Sequence, residues 1–110
     1  MSKDYLGEFE EVILTMVAAL QQEAYGAMIA EEIESRLKRS VKLSAVHVTL
    51  YRLQDKGLID SHMGGGTNER GGRRKRLYTI TDAGMAALRD VQEKRLLLWK
   101  MVPELKLSGS

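Results

Sequence analysis

Hydrophobic residues near the start of the chain recur with the period of an α-helix. From Phe9 to Leu20 they follow the spacing i, i+3, i+4, i+7, i+8 and i+11, which places them on one continuous face. Glu8, Glu10 and Glu11 lie where such a helix would begin, and the helix dipole favours negative charge there. The pattern predicts a first amphipathic helix over this stretch.

The next hydrophobic stripe predicts a second helix from about Tyr25 to Arg39. Apolar side chains recur every four residues along it, at Tyr25, Ile29, Ile33 and Leu37, and would form its buried face. Basic residues fill the expected last turn, where positive charge suits the negative end of the helix dipole.

The segment SAVHVTLYRLQDKG, residues 44–57, has the start and stop signals of a third helix. Ser44 is a favourable N-cap residue, and Gly57 suits the left-handed conformation that follows many helices. The apolar face holds Val46, Leu50 and Leu53. The opposite face is unusual for a solvated helix, because it carries apolar and aromatic groups that suit a contact surface. That face consists of Ser44, Val48, Tyr51 and Arg52, with His47 to one side.

Two short stretches after this helix predict a β-hairpin. LIDSHM at 58–63 and RLYTI at 76–80 have the composition of strands, and a glycine- and arginine-rich connection lies between them. Thr81 is then placed to cap a final helix that ends near Pro103. The order α-α-α-β-β-α describes a mainly α fold with a small β-hairpin, the winged helix-turn-helix.

The last predicted helix carries more apolar surface than a chain of 110 residues can readily cover. Such a surface predicts a partner, most simply the same helix of a second copy in a homodimer. The alternative is that the helix folds back on the first helix alone. We therefore expect a winged-helix DNA-binding domain at 1–80 and a C-terminal dimerisation helix with its tail at 81–110. The residues expected at the dimer interface are Leu88, Val91, Leu98, Trp99 and Val102.

The distribution of charge indicates a polyanionic partner. The net charge is +2, but residues 1–34 hold one basic and eight acidic side chains, whereas residues 35–76 hold eleven basic and three acidic ones. A strongly positive segment of this kind is typical of a surface that contacts nucleic acid. At the hairpin tip, glycines would let the backbone approach a phosphate that basic side chains bind. The basic candidates in this wing are Arg70, Arg73, Arg74, Lys75 and Arg76.

The third helix would be the recognition helix, lying in the major groove of double-stranded DNA. Arg52 could pair with guanine or a phosphate, or it could form a structural ion pair with an acid of the second helix. His47 could donate to a base edge, or it could be a solvated surface histidine or one that is partly packed against the wing. Ser44 and Tyr51 are candidates for phosphate contacts, and Val48 is a candidate for contact with a thymine methyl group.

Composition argues against several other classes of site. There are no cysteines and only two histidines, His47 and His62, so neither a metal nor a cofactor is expected. No nucleophile–base arrangement and no carboxylate pair in an apolar setting is evident, so an enzyme is not expected. The start of the chain lacks a signal-peptide pattern, and its longest apolar stretch, Val12 to Leu20, is too short to span a bilayer. We expect a cytoplasmic protein.

Three motifs in order resemble the PadR family of bacterial transcriptional regulators, in its short form with one C-terminal helix. AYGAMIAEEIE at 24–34 is similar to the family's second helix, SAVHVTLYRLQDKGLI at 44–59 to its recognition helix, and RRKRLYTITDAGMAAL at 73–88 to its wing and the helix that follows. The resemblance implies a homodimeric regulator, usually a repressor, often responsive to a small molecule or a stress signal. His47 and Val48 depart from the family pattern, in which tyrosine and proline are common, so the resemblance does not carry over the operator preferred by better-known members.

Two alternatives stay open at the level of sequence. Trp99, the single tryptophan, is expected to pack at a helix interface, but it could instead line a cleft for a small planar effector. The chain could also be a protein-interaction adaptor whose winged helix docks on an acidic partner. The basic residues near the glycine-rich tip favour the DNA-binding regulator, because an adaptor has little use for them.

Overall fold

The computed structural model describes residues 6–64 and 75–103, and the element order within them is that of a winged helix. Three helices precede a two-stranded antiparallel hairpin, and a long helix follows it. A single 3₁₀ turn at Gln21–Glu23 connects the first two helices. The elements are α1 (Glu8–Leu20), α2 (Gly26–Leu37), α3 (Leu43–Asp55), β1 (Ile59–Met63), β2 (Arg76–Ile80) and α4 (Asp82–Trp99). The predicted winged helix-turn-helix fold is confirmed.

The hydrophobic core lies between the first three helices and the hairpin. The apolar stripes of α1 and α3 face inward, as the helical spacing of their side chains predicts. Each fully buried aliphatic side chain stabilises the fold by about 1.5–3 kcal/mol relative to an exposed one. The largest fully buried side chains are Ile13, Leu14, Val17, Ile29, Ile33, Val46, Leu50, Leu53, Ile59 and Tyr78.

A third extended segment ties the hairpin to the helices. β1 and β2 pair in antiparallel register with Ile59 opposite Ile80. Beside β2, Ala24 forms an isolated antiparallel bridge with Tyr78, whose backbone N–H donates to the Ala24 carbonyl oxygen at 2.9 Å. The residues that lead into α2 are therefore held against the middle of β2.

Helix α2 ends two residues earlier than predicted. Lys38 adopts the left-handed conformation, with a φ of 55°, and this conformation terminates the helix. Leu37 is consequently 49% exposed and does not contribute to the buried face. Arg39 leaves the helix and reaches α1, where it donates to both carboxylate oxygens of Glu8 and lies over the ring of Phe9.

Helix α3 begins one residue before its predicted cap. Lys42 occupies the N-cap position, because its carbonyl oxygen accepts from the amides of Ala45 and Val46 at 3.0 and 3.2 Å. Ser44 therefore lies inside the first turn, and its predicted capping role is wrong. At the other end of the helix, Gly57 has a φ of 78°, so the predicted left-handed glycine is confirmed.

Helix α4 is attached to the hairpin through its first turn. The Thr81 hydroxyl accepts from the Gly84 amide at 3.0 Å and donates to the Gly57 carbonyl oxygen at 2.9 Å, which confirms the predicted cap. A side chain at Gly84 would overlap the Leu58 carbonyl oxygen, so glycine allows the helix to approach the hairpin closely. The helix ends slightly before the predicted limit at Pro103. In the described ranges, no helix combines the length and apolar composition needed to cross a membrane.

Candidate nucleic-acid interface

The outer surface of α3 carries the side chains that were predicted to contact DNA. Val48 and Tyr51 are 50% and 56% exposed, and Ser44 and Arg52 are exposed beside them. The opposite face of the helix is buried, so these four side chains cannot turn toward the core. Exposed apolar and aromatic groups that lie together, with polar groups around them, are typical of a contact surface.

His47 differs from its neighbours on α3 because it is half-buried. Its ring packs against Gly26, the first residue of α2, where an added Cβ atom would lie 2.6 Å from the imidazole Cε1. The ring also stacks with Tyr51, one turn further along, with centroids 6.4 Å apart and ring planes at 28°. This contact with α2 was not among the predicted alternatives, and the wing tip, against which partial packing was predicted, lies outside the described residues.

The described residues include the base of the basic wing. Lys75 and Arg76 are both exposed at the start of β2. The Lys75 ammonium lies over the ring of Tyr25, 4.4 Å from its centroid, and Arg76 donates from Nη1 to the Ser61 hydroxyl at 3.0 Å. These contacts hold two cationic groups at the edge of the hairpin. The other predicted wing residues, Arg70, Arg73 and Arg74, lie outside the described residues.

A cavity of about 310 Å³ opens between the start of α2, the outer side of α3 and β2. It connects the exposed face of α3 with the base of the wing. Its wall, as far as the structure describes it, includes the cationic Arg76 and no carboxylate, so it favours an anion. The lining residues are Tyr25, Gly26, Ala27, Leu43, His47, Tyr51, Arg76 and Tyr78.

Tyr78 is the most deeply buried side chain of this wall, with 2% of its surface exposed. Burial raises the pKa of its hydroxyl, the nearby Tyr51 raises it further, and Arg76 offsets part of the rise. The hydroxyl is therefore protonated at neutral pH and can donate a hydrogen bond. Among the described residues, no buried side-chain oxygen or nitrogen atom is left without a hydrogen-bond partner, so the Tyr78 hydroxyl is not an isolated polar group in the core.

A metal ion has no comparable site in the described ranges. No group of three or more His, Asp or Glu side chains approaches closely enough there to hold one.

Among the described residues, no salt bridge includes Arg52, so its predicted alternative role as a partner of an acid on α2 is wrong. Its charge acts instead at longer range on Glu10 of α1.

Sequence analysis missed three residues of this surface, namely Tyr25, Gly26 and Tyr78. Tyr25 was assigned to the buried face of α2, but it precedes the helix and lies beneath Lys75. The sequence did contain a signal for Tyr25 and Gly26. A glycine that directly follows an aromatic residue at the start of a helix permits close approach by another group. Tyr78 had no such signal, since its placement depends on the distant bridge to Ala24.

The predicted dimerisation residues of α4 fall into two groups. Leu88 is buried in the chain's own core, and Val91 packs against that core. Leu98 and Trp99 are 64% and 68% exposed, and Val102 is exposed just beyond the helix. The first half of α4 therefore belongs to the core, whereas its last turns present an apolar surface. That surface, the apolar end of α4, consists of Leu96, Leu97, Leu98, Trp99, Met101 and Val102.

Most of the chain matches the sequence model of one protein family. The sequence model of the transcriptional regulator PadR-like family matches residues 13–90. The chain belongs to this family. The PadR-like chain is therefore a DNA-binding transcriptional regulator, as its motifs indicated. No curated protein sequence matches it.

Solved structures share the PadR-like fold. A PadR family transcription regulator from Clostridium difficile has 23% sequence identity and a TM-score of 0.70, over 86% of this chain and 94% of that chain. A transcriptional regulator from Clostridium thermocellum has 23% identity and a TM-score of 0.67, over 84% of each chain. Bacillus subtilis PadR, solved in complex with operator DNA, has 27% identity and a TM-score of 0.64, over 76% of this chain and 46% of that chain.

Proposed function

We propose that this PadR-like regulator is a homodimeric repressor that binds a specific operator in double-stranded DNA. The observation that carries the proposal is the outer face of α3, where Val48, Tyr51 and Arg52 are exposed together beside the wing. These side chains can contact a thymine methyl group, a phosphate and a guanine edge, respectively. This mixture suits the reading of base edges better than the binding of an acidic protein.

In the proposed complex, α3 lies in the major groove and the wing follows the phosphate backbone. His47 and Val48 face base edges, and Ser44 contacts a phosphate near the start of the helix. The wing neutralises phosphates and releases their counterions, which makes affinity depend steeply on salt. Its proposed phosphate-binding residues are Arg70, Arg73, Arg74, Lys75 and Arg76.

Helix α4 supplies the proposed dimer interface. Leu88 and Val91 are engaged with the chain's own core, so the apolar end of α4 is left for a second copy. Leu98, Trp99 and Val102 are the central residues of that contact. Two copies joined in this way would present two α3 helices to successive major grooves, about 34–36 Å apart. The division between DNA-binding domain and dimerisation helix then falls at residue 81.

Similarity to a DNA-bound relative supports operator binding. The structure of Bacillus subtilis PadR contains operator DNA, and the two chains are 27% identical over 76% of this one. This chain spans 46% of that protein's length. The support for the dimer is the apolar end of α4 in this chain.

A small planar effector is a further part of the proposal. In a dimer formed through α4, the exposed Trp99 either packs against the partner helix or lines a cleft between the two helices. Packing suits a side chain of this size, because it removes a large apolar area from water. Titration of planar cationic and phenolic compounds, followed by Trp99 fluorescence, distinguishes the two roles. Saturable quenching identifies a cleft, whereas the absence of any saturable change removes the effector from the proposal.

Selection of bound duplexes from a random pool tests the proposal as a whole. A homodimer is expected to enrich a palindromic site with half-sites one helical turn apart. Placed across a promoter, that site should lower transcription of a reporter gene when the protein is present. Failure to enrich any sequence, together with tight binding to an acidic protein, would support the adaptor instead.

A further inference from the structure

We propose that the ion pair between Glu11 of α1 and Arg95 of α4 sets the separation of the two DNA half-sites that the dimer recognises. Arg95 is then a positioning residue, because it acts on DNA through the direction of α4 and not by contact. This inference rests on the proposed function and deepens it, since it adds a determinant of operator choice outside the recognition helix and the wing.

The ion pair joins two helices that are distant in the sequence. Arg95 donates from Nη2 to the Glu11 Oε1 at 2.5 Å. The Glu11 side chain is only 14% exposed, whereas that of Arg95 is 60% exposed. The carboxylate is therefore held against the fold, and the arginine reaches it from the more exposed helix. Because Glu11 lies in the first turn of α1, the helix dipole also stabilises its charge.

Arg95 lies where α4 leaves the core. Leu88 is buried and Val91 is half-buried, but every described residue after Val91 is exposed. Among the described residues, the Arg95 hydrogen bond is consequently the one furthest along α4 that reaches another element. The bond is therefore placed to determine the direction in which the apolar end of α4 extends from the domain.

The sequence of α4 also indicates a specific role for this arginine. Apolar residues before and after it follow the spacing of one helical stripe, which Arg95 interrupts. A polar residue within an apolar seam commonly fixes the geometry of helix packing at a cost in stability. An apolar residue would have continued the stripe, so burial does not explain the arginine. The stripe consists of Leu88, Val91, Leu98 and Val102.

The recognition helix is anchored to the adjacent residue of α1. Lys56, directly after α3, donates from its ammonium to Glu10 at 2.9 Å, and both side chains are mostly buried. Consecutive residues of α1 thus hold the helix proposed to read DNA and the helix proposed to form the dimer. A change in the direction of α4 would change the distance between the two α3 helices of a dimer. Since one base pair corresponds to about 3.4 Å along DNA, a small shift is enough to alter the preferred operator.

The test measures binding to duplexes whose two selected half-sites are moved apart or together by one or two base pairs. The unmodified protein should prefer the selected separation roughly tenfold or more, because DNA must be twisted or bent to bind at another one. Arg95→Gln should bind the selected separation more weakly and the altered ones at least as well, so this preference should largely disappear. Fluorescence anisotropy with each duplex measures it.

A duplex with one half-site separates this role from a DNA contact. Arg95→Gln should bind it as tightly as the unmodified protein and with the same salt dependence, because no phosphate contact is lost. Lys94→Gln is the matched control. It removes the same charge from the neighbouring residue, whose ion pair with Asp90 lies within α4, and should keep the full preference for one separation. Sedimentation equilibrium should give the mass of two chains for both variants.

Reversal of both charges tests the ion pair itself. Glu11→Lys and Arg95→Glu should each lose the preference for one separation, whereas the double variant should regain it. If a reversed variant has a lower melting temperature, Glu11→Gln removes the pair from the α1 side without adding a charge. It should match Arg95→Gln and have no further effect when the two are combined.

Distinct outcomes separate the two proposals. An unchanged preference in Arg95→Gln overturns the spacing role and leaves the proposed function intact. An equal loss in Lys94→Gln, a reduced salt dependence or a mass of one chain for Arg95→Gln overturns it as well. A double reversal that folds without regaining the preference excludes the ion pair as the cause. Binding of the unmodified protein to none of the duplexes overturns the proposed function, and the spacing role with it.

Discussion

The imidazole of His47 on α3 lies against the backbone of Gly26, the first residue of α2. A Cβ atom at Gly26 would lie only 2.6 Å from the imidazole Cε1, which is closer than non-bonded carbon atoms approach in folded proteins. The absence of a side chain at Gly26 therefore sets the position of the ring. Because His47 borders the exposed face of α3, a residue of α2 influences the side chains that α3 would present to DNA in the proposed complex.

Gly26→Ala is expected to displace His47 and to reduce discrimination between operator and shuffled DNA. One lost base contact corresponds to about 1–3 kcal/mol, or roughly 5- to 150-fold in the affinity ratio. Fluorescence anisotropy with the two duplexes measures this ratio. In the His47→Ala background, the same change at Gly26 should have little further effect, because the ring it displaces is gone. Additive losses in the double variant would show that Gly26 acts by another route.

Arg76→Gln is expected to weaken binding to all duplexes alike. Arg76 is exposed at the start of β2 and carries one of the charges that meet phosphate in the proposed complex. Its removal should lower the slope of log affinity against log salt by about 0.9 for each protomer bound. Lys94→Gln, with the same loss of charge on α4, is the control and should leave the slope unchanged. A change in sequence preference without a change in slope would contradict a phosphate contact.

Leu98→Glu is expected to separate the proposed dimer. Leu98 lies in the apolar end of α4, and burial of a carboxylate there without a partner would be strongly unfavourable. Sedimentation equilibrium should give the mass of one chain for this variant and of two chains for the unmodified protein. Leu37→Glu places the same charge on an exposed leucine at the end of α2 and should not change the mass. Sedimentation of the unmodified protein with the mass of a single chain would contradict the proposed dimer.

The ion pair of Glu10 with Lys56 makes stability depend on acid pH. Partial burial raises the pKa of the Glu10 carboxyl, but hydrogen bonds from Lys56 and from the Gly7 amide outweigh it and hold the pKa below its ordinary value of 4.5. A lowered pKa in the folded state means that the ionised carboxylate stabilises the fold above pH 4.5, and that this contribution is lost as pH falls below that value.

Glu10→Gln should therefore lower the free energy of unfolding by about 1–3 kcal/mol at neutral pH. The difference from the unmodified protein should shrink as pH falls below 4.5, where both lack the charge. Urea unfolding across this pH range measures both effects. Glu34→Gln, at an exposed position on α2, is the control. A difference that stays constant with pH would show that the charge of Glu10 does not stabilise the fold.

The spacing of apolar residues predicted the helices correctly, but it did not predict where α2 ends. Spacing of apolar residues predicted the buried faces of α1 and α3, because each face depends on neighbours within two or three turns. The same rule placed Leu37 in the core, although the left-handed Lys38 ends α2 there and leaves it exposed. A periodic pattern does not show which residue will leave the helix to form the ion pair with Glu8.

The cavity could not be predicted in the same way. Its wall joins α2, α3 and β2, and the Ala24–Tyr78 bridge brings the last of these beside the first. Tyr25 and Tyr78 therefore share a site although no local spacing relates them. The sequence pattern predicted that the candidate DNA-contacting residues of α3 share one face. Tertiary contacts determine their individual positions, because the His47 ring packs against Gly26 whereas Val48 is exposed.

The most direct test of the central claim is anisotropy of the purified protein with the DNA upstream of its own gene, beside a shuffled duplex, across a salt series. A sequence-specific regulator of its own promoter should bind the native duplex several kcal/mol more tightly than the shuffled one. Its affinity for both should fall steeply as salt rises, because the wing releases counterions. Equal and weak binding to both duplexes, even at low salt, would contradict the claim that α3 reads this DNA.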